Sequence, residues 1–117
     1  MSELVLYHNP RWGKSRMAVS LLKEKKINFT IIEYLKTPLS KAEIKGLSEK
    51  LGKPLSHIVR KNEKEFRQNQ CEKFLDDSEK IAEMISRFPK IMERPILVRG
   101  KKAVVGRPPE NILELVK

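Results

Sequence analysis

Leu4-Val5-Leu6-Tyr7-His8-Asn9-Pro10-Arg11-Trp12-Gly13-Lys14-Ser15-Arg16 is the stretch on which the fold turns. Leu4 to Tyr7 reads as a short buried strand, Asn9-Pro10 interrupts it, and a helix begins by Ser15. A tight loop between a strand and a helix is a natural seat for a reactive group. The free amides and the positive end of the helix dipole stabilise an anion there, and flanking cations hold a cysteine as its thiolate. In this chain the tip of the loop is Trp12, among Arg11, Lys14 and Arg16. The surroundings suit thiol chemistry and the residue inside them has no thiol.

Outward from this loop, Ser15 to Lys25 has helical spacing, with Met17 and Leu21, then Ala18 and Leu22, paired at i,i+4 on the face expected to be buried. Asn28–Tyr34, rich in Phe29, Thr30, Ile31 and Ile32, predicts a second strand. Strand, helix and strand in this order predict a right-handed parallel βαβ unit. A helical stretch follows. Ser40 and Glu43 fit a capping box, Ile44, Leu47 and Leu51 share a face, and Gly52 is placed to stop the helix. Pro54 to Val59 predicts one more turn. Ser78 to Phe88 predicts a helix with Ile81, Met84, Ile85 and Phe88 on its inner face, ended by Pro89. The period then returns to two. Pro95 to Val98 and Ala103 to Val105 predict a hairpin turning at Arg99-Gly100-Lys101, and Pro109 starts a last helix with Ile112, Leu113 and Val116 inward. The order β-α-β, helices, β-β-α gives an α/β domain with a mixed four-stranded sheet. That is a thioredoxin-like architecture over residues 1–117, with a helical insertion at roughly 37–90.

At 117 residues the chain has the length of one domain, and no apolar run reaches the ~20 residues that cross a bilayer. Glu3 and the brevity of the apolar stretch after it do not fit a secretory leader, so a cytoplasmic protein with no membrane partner is expected. The single cysteine, Cys71, cannot form an internal disulfide, which agrees with a reducing compartment. The net charge of +10 is spread along the chain, with 12 basic against 5 acidic residues in 1–60 and 13 against 10 in 61–117. Without a dense basic block or an aromatic-basic platform, this reads as a lysine-rich solvated surface and not as a specific nucleic-acid site. Cys71 lies in Arg67-Gln68-Asn69-Gln70-Cys71-Glu72-Lys73, a polar stretch expected to be mobile, and His57 is expected at the surface. A lone histidine and cysteine, such as His8 and Cys71, are too few for a metal site.

Four segments carry a resemblance. Tyr7-His8-Asn9-Pro10 with Gly13-Lys14-Ser15-Arg16, Val59-Arg60-Lys61-Asn62-Glu63, Glu93-Arg94-Pro95-Ile96 and Gly106-Arg107-Pro108-Pro109 resemble the glutaredoxin-coupled arsenate reductase family, in order and over essentially the whole chain. The resemblance implies a loop cysteine that attacks arsenate, in the place of Trp12, and three arginines that hold the oxyanion: Arg60, Arg94 and Arg107. It further implies that His8 keeps the cysteine ionised, that Ser15 stands beside the nucleophile, and that Pro95 is the cis-proline facing the loop. The family needs no resident cofactor and draws electrons from glutathione and glutaredoxin.

The chemistry explains these residue types. Arsenate, phosphate and sulfate are tetrahedral anions, and arginine offers such oxygens a planar fork of donors with a permanent charge. Reduction of arsenic(V) runs through an arsenic–sulfur bond and then thiol exchange. Tryptophan has only an indole N–H to donate and cannot attack, leave or exchange. The sequence therefore predicts a redox-inactive relative that keeps an oxyanion cradle, with an oxyanion, glutaredoxin or another protein as partner. Two rival readings exist. One is a regulatory interaction module similar to the Spx-type transcription regulators, although Pro10 and Gly13 stand where those often carry a CxxC switch. The other is a reductase that uses Cys71 as a relocated nucleophile.

Overall fold

A computed structural model of the chain describes residues 3–116. In chain order the elements are β1 (Leu4–His8), α1 (Gly13–Glu24), β2 (Thr30–Glu33), α2 (Lys41–Leu51), α3 (Lys64–Gln68), α4 (Ser78–Arg87), β3 (Ile96–Arg99) and β4 (Lys102–Val105). Short 3-10 turns at Leu55–Ile58, Cys71–Phe74 and Pro89–Ile91 join the helices, and a longer one, Pro109–Leu115, closes the chain. The contacts separate into two compact units. One runs to Thr37 and resumes at Arg94; the other is Pro38–Glu93. None of the described helices is long and apolar enough to cross a membrane.

The first unit is built on a mixed four-stranded sheet in the order β2-β1-β3-β4. β1 runs parallel to β2, with Val5 opposite Thr30 and His8 opposite Glu33. It runs antiparallel to β3, with Leu4 opposite Arg99 and Tyr7 opposite Ile96. β3 and β4 form the hairpin, and its turn is the two residues Gly100 and Lys101 between the paired Arg99 and Lys102. Gly100 has a φ of 61°, which supplies the left-handed backbone that so short a turn requires. Leu4, Leu6, Ala18, Leu22, Leu97 and Ile112 form the core of this unit.

Two details differ from the sequence reading. The buried stripe of α1 is Ser15, Ala18 and Leu22, while Met17 is 51% exposed. The i, i+3, i+7 spacing of those three turns Met17 by roughly a third of a turn away from the core stripe, while Leu21 is half-buried and packs against the core. β2 is also shorter than Asn28–Tyr34. As an edge strand it pairs on one side only, with β1, and Ile31 stays exposed.

The second unit is helical. Ser40 caps α2 in full: its Oγ accepts the Glu43 amide at 3.1 Å, and the Glu43 carboxylate accepts the Ser40 amide at 3.0 Å. Gly52 ends the helix in the left-handed region with φ 68°, as its position predicted. α2 and α4 are held together by Glu79, which takes Lys41 at 2.7 Å and also pairs with Lys45. Hydrogen bonding to Lys41, and then to Lys45, pulls the Glu79 carboxyl down to about 2. Ile44, Leu47, Ile81, Ala82 and Ile85 are all buried. The last residues of this unit return beside its middle. Val59 bridges Met92, the Arg60 amide donates to the Ile91 carbonyl at 2.7 Å, and the Glu93 amide donates to the Ile58 carbonyl at 2.7 Å.

Residues 67–73 expose Arg67, Gln68, Gln70, Glu72 and Lys73, but they are folded into regular turns around a buried Cys71. α3 and the 3-10 turn at Cys71–Phe74 bury Phe66 and Cys71, the latter completely. Asn69 donates from its side chain to the Glu65 carbonyl, and Gln70, with φ 53°, reverses the chain between the two turns. His57 is exposed, as expected.

Candidate functional site

β1 ends at His8, and the next four residues make the loop that starts α1. Asn9 shapes this loop. Its side-chain oxygen accepts the Arg11 amide at 3.1 Å, and its carbonyl accepts the Trp12 amide at 3.1 Å. Arg16, one turn into α1, donates to the Pro10 carbonyl at 2.9 Å and ties the helix back to the loop. Trp12 is the residue that caps α1. Its backbone is extended, its carbonyl accepts the Arg16 amide, and its side chain makes no capping hydrogen bond. The first turn of α1 contains no acidic residue.

Below the loop, His8 and Ser15 meet in the interior. Ser15 is fully buried and its Oγ accepts the Asn9 amide at 3.0 Å. The same oxygen lies 2.7 Å from Nδ1 of His8. In the neutral tautomer protonated on Nε2, the Ser15 hydroxyl donates to Nδ1 while its oxygen accepts the Asn9 amide. The neutral form is favoured. Burial pushes the His8 imidazole below its ordinary value, opposed by the Glu33 carboxylate and aided by the Arg16 guanidinium.

Above the loop, Arg94 comes from the other end of the chain. Its guanidinium carbon lies 3.7 Å from the centroid of the Trp12 ring. Arg94 is 5% exposed and Trp12 is 45% exposed, so the ring has one face on the guanidinium and much of its other surface in solvent. The Arg94–Pro95 peptide bond is cis, and so is Arg107–Pro108. Gly106 donates its amide to the Pro95 carbonyl at 2.8 Å. A Cβ at Gly106 would stand 2.8 Å from Pro95 Cγ and 3.1 Å from Ile112 Cγ2, so only glycine lets the strand end pass this close. Arg107, just beyond, is exposed, and its carbonyl accepts from the Asn111 side chain.

Arg60 belongs to the helical unit. There its guanidinium pairs with the Glu63 carboxylate and lies 3.8 Å from that of Glu93. The structure thus joins His8 with Ser15, and Trp12 with Arg94. The sequence reading missed the acids on Arg60, although Glu63 and Glu93 stood inside the very motifs it used. It also passed over Asn9, whose position ahead of a proline marks it as a turn former.

Cys71 completes the inventory. It is the only cysteine, it is buried in the helical unit, and burial pushes its thiol above the ordinary value.

A β-α-β start and a β-β end sharing one sheet, with a helix N-terminus rising from the end of β1, define the thioredoxin-like class. The ArsC family model matches residues 7–115, and the chain belongs to that family. Its relatives agree. It is 36% identical over 113 residues to the arsenate reductase of Neisseria meningitidis, covering 96% of this chain and 97% of that one. It is 38% identical over 116 residues to the uncharacterized protein YfgD of Escherichia coli K12, covering 97% of each. Its structure superposes on that of an arsenate reductase from Vibrio cholerae with a TM-score of 0.91 at 33% identity, covering 97% of both chains.

Proposed function

We propose that this ArsC-family chain binds tetrahedral oxyanions without reducing them. On this reading Trp12 stands at the family's nucleophile position, and Arg94 and Arg107, both in the sheet unit, are anion ligands. The observation that carries the reading is the Trp12 ring lying on the Arg94 guanidinium at the start of α1. The place a thiolate would need, beside an arginine and a helix N-terminus, is taken by an indole. A covalent arsenic–sulfur intermediate requires a reachable thiolate. Cys71 does not meet that requirement, because it is buried and its thiol is harder to ionise than an ordinary one.

His8 and Ser15 then serve the loop and not a nucleophile. They satisfy one another and the Asn9 amide at the base of the loop. Glutathione and glutaredoxin have no mixed disulfide to resolve on such a protein, and any glutaredoxin contact would be non-covalent. Arsenate, phosphate and sulfate share the geometry and charge that an arginine fork recognises. The single free cysteine suits a reducing cytoplasm.

The test is an arsenate reduction assay with glutathione and glutaredoxin. The protein should form no arsenite above the protein-free rate, and Trp12→Cys should acquire a reactive thiol with a lowered pKa together with measurable turnover. Enzyme-like reduction by the unaltered chain would overturn the proposal, as would a Trp12→Cys thiol that titrates like a free cysteine.

A further inference from the structure

We propose that the end of the sheet remote from Trp12 holds a second ligand site, shaped for a small phosphorylated molecule of the nucleoside monophosphate class. β1 starts at Leu4 and β3 ends at Arg99, and these two residues are paired. The Trp12 loop lies past His8, about 13 Å of strand away. Two cavities open at the Leu4–Arg99 end. One, of about 500 Å³, has Ile27, Phe29 and Val116 in its apolar wall and Glu3, Asn28 and Thr30 as its polar groups. The other, of about 380 Å³, lies among Arg99, Lys101, Lys102 and Glu114. Arg99 lines both, so the two meet at one side chain. All of these residues belong to the sheet unit.

The register explains the charge. Arg99 stands opposite Leu4 on one side and Lys102 on the other, so the three share the sheet face that carries the core. The two-residue turn adds Lys101 to the same cavity. Three cations therefore crowd the smaller cavity against the single carboxylate of Glu114. The Arg99 guanidinium is oriented by the bond it donates to the Leu115 carbonyl at 2.7 Å. A guanidinium has five N–H donors and a permanent charge, so one bond to a carbonyl leaves a fork for phosphate oxygens, and the two lysines add point charges. The larger cavity suits the rest of such a ligand. Both volumes fall within the ~300–1,000 Å³ typical of small-molecule sites. Ile27, Phe29 and Val116 pack against the core and offer a base an apolar surface. The Asn28 amide both donates and accepts, as a base edge requires. Glu3 would repel a bare anion, but its carboxylate already accepts the Thr30 hydroxyl at 2.7 Å and has capacity for the hydroxyls of a sugar. Hydroxyl donors at one end and an anion at the other match this division of the lining.

The experiment titrates adenosine 5′-monophosphate and guanosine 5′-monophosphate into the unaltered chain by calorimetry at fixed ionic strength, with adenosine and inorganic phosphate as separate probes. At least one nucleotide should bind more tightly than adenosine and than phosphate. Arg99→Gln should weaken it by about 10-fold or more, the loss of a hydrogen bond to a charged group. Arg99 also holds the Leu115 carbonyl, so a second variant guards against a purely structural effect. Lys101→Gln combined with Lys102→Gln changes two exposed residues and should weaken the nucleotide by about 2- to 30-fold, as the loss of two exposed charge pairs would. In amide NMR spectra, saturation should move the signals of Phe29, Thr30 and Arg99 and leave those of Gly13 and Lys14 in place. Absence of heat from both nucleotides at millimolar concentration would overturn the proposal. So would an affinity that survives both sets of substitutions, or signal changes confined to the Trp12 loop. Phosphate binding as tightly as the nucleotides would also overturn it, because the larger cavity would then contribute nothing.

Discussion

Nδ1 of His8 lies 2.7 Å from Oγ of Ser15, and the same oxygen accepts the Asn9 amide, so one buried hydroxyl links the last residue of β1 to the first residue of the loop. The residues are buried, at 7% for His8, 5% for Asn9 and 0% for Ser15. Ser15→Ala removes the hydroxyl and leaves a buried amide and a buried ring nitrogen without it. Leaving buried polar groups unpaired costs ~1–3 kcal/mol. Chemical denaturation should show a loss of about 2 kcal/mol with an unchanged slope. Ser15→Thr, which keeps the hydroxyl, should recover part of it. A Ser15→Ala protein as stable as the parent would mean that the trio does not support the loop.

The same burial sets a pH dependence. The folded His8 binds a proton less readily than the ordinary 6.5, because desolvation disfavours the imidazolium more than Glu33 favours it. In the window between the folded value and 6.5 the unfolded chain binds more protons. Stability is therefore full above 6.5 and declines as pH falls through that window. Urea midpoints measured across it should drop toward acid. His8→Gln should flatten this part of the profile. A midpoint that rises on acidification would contradict the neutral imidazole.

Cys71 should behave as an inert core thiol. It is fully buried and its pKa is raised by desolvation. Thiolate, not thiol, reacts with alkylating and disulfide reagents. Modification at pH 8 should be slow in the native protein, on the timescale of local opening, and fast in denaturant. Rapid stoichiometric modification of the native chain would restore this cysteine as a candidate nucleophile.

The sequence made the order of elements readable because each element is punctuated by local chemistry. Ser40 and Glu43 close a capping box, Gly52 takes the left-handed position, and Gly100 turns the hairpin. The sequence was less informative where long-range packing decides. Met17 looks like a core residue until the sheet selects Ser15, Ala18 and Leu22 as the inner stripe. Cys71 sits among polar letters, and its burial depends on how α3 and the following turn fold over it with Phe66. In the candidate site the residue types were legible and the pairings were not. Trp12 and Arg94 lie at opposite ends of the chain and meet only because β1 and β3 are neighbours in the sheet. The resemblance makes Arg60 an oxyanion ligand and says nothing of acids beside it, yet Glu93 reaches it through the Val59–Met92 bridge that returns the chain to its side.

Gly106 offers a test that separates packing from site geometry. A Cβ there would stand 2.8 Å from Pro95 Cγ, 3.1 Å from Ile112 Cγ2 and 3.4 Å from Pro95 Cδ. Neither neighbour is a flexible chain end, since Pro95 is a closed ring and Ile112 is fully buried. Overpacking of this kind costs ~1–3 kcal/mol, so Gly106→Ala should lower Tm by roughly 4–12 °C. How the clash is relieved is informative. If Ile112 yields, the loop is untouched and Trp12 emission stays as it was. If Pro95 yields, it carries Arg94 with it, the contact with the indole loosens, and emission shifts. The Gly106 amide already holds the Pro95 carbonyl at 2.8 Å, which couples the two backbones, so the second outcome is expected. A variant that melts with the parent would show that the close approach of these segments is not a constraint on the fold.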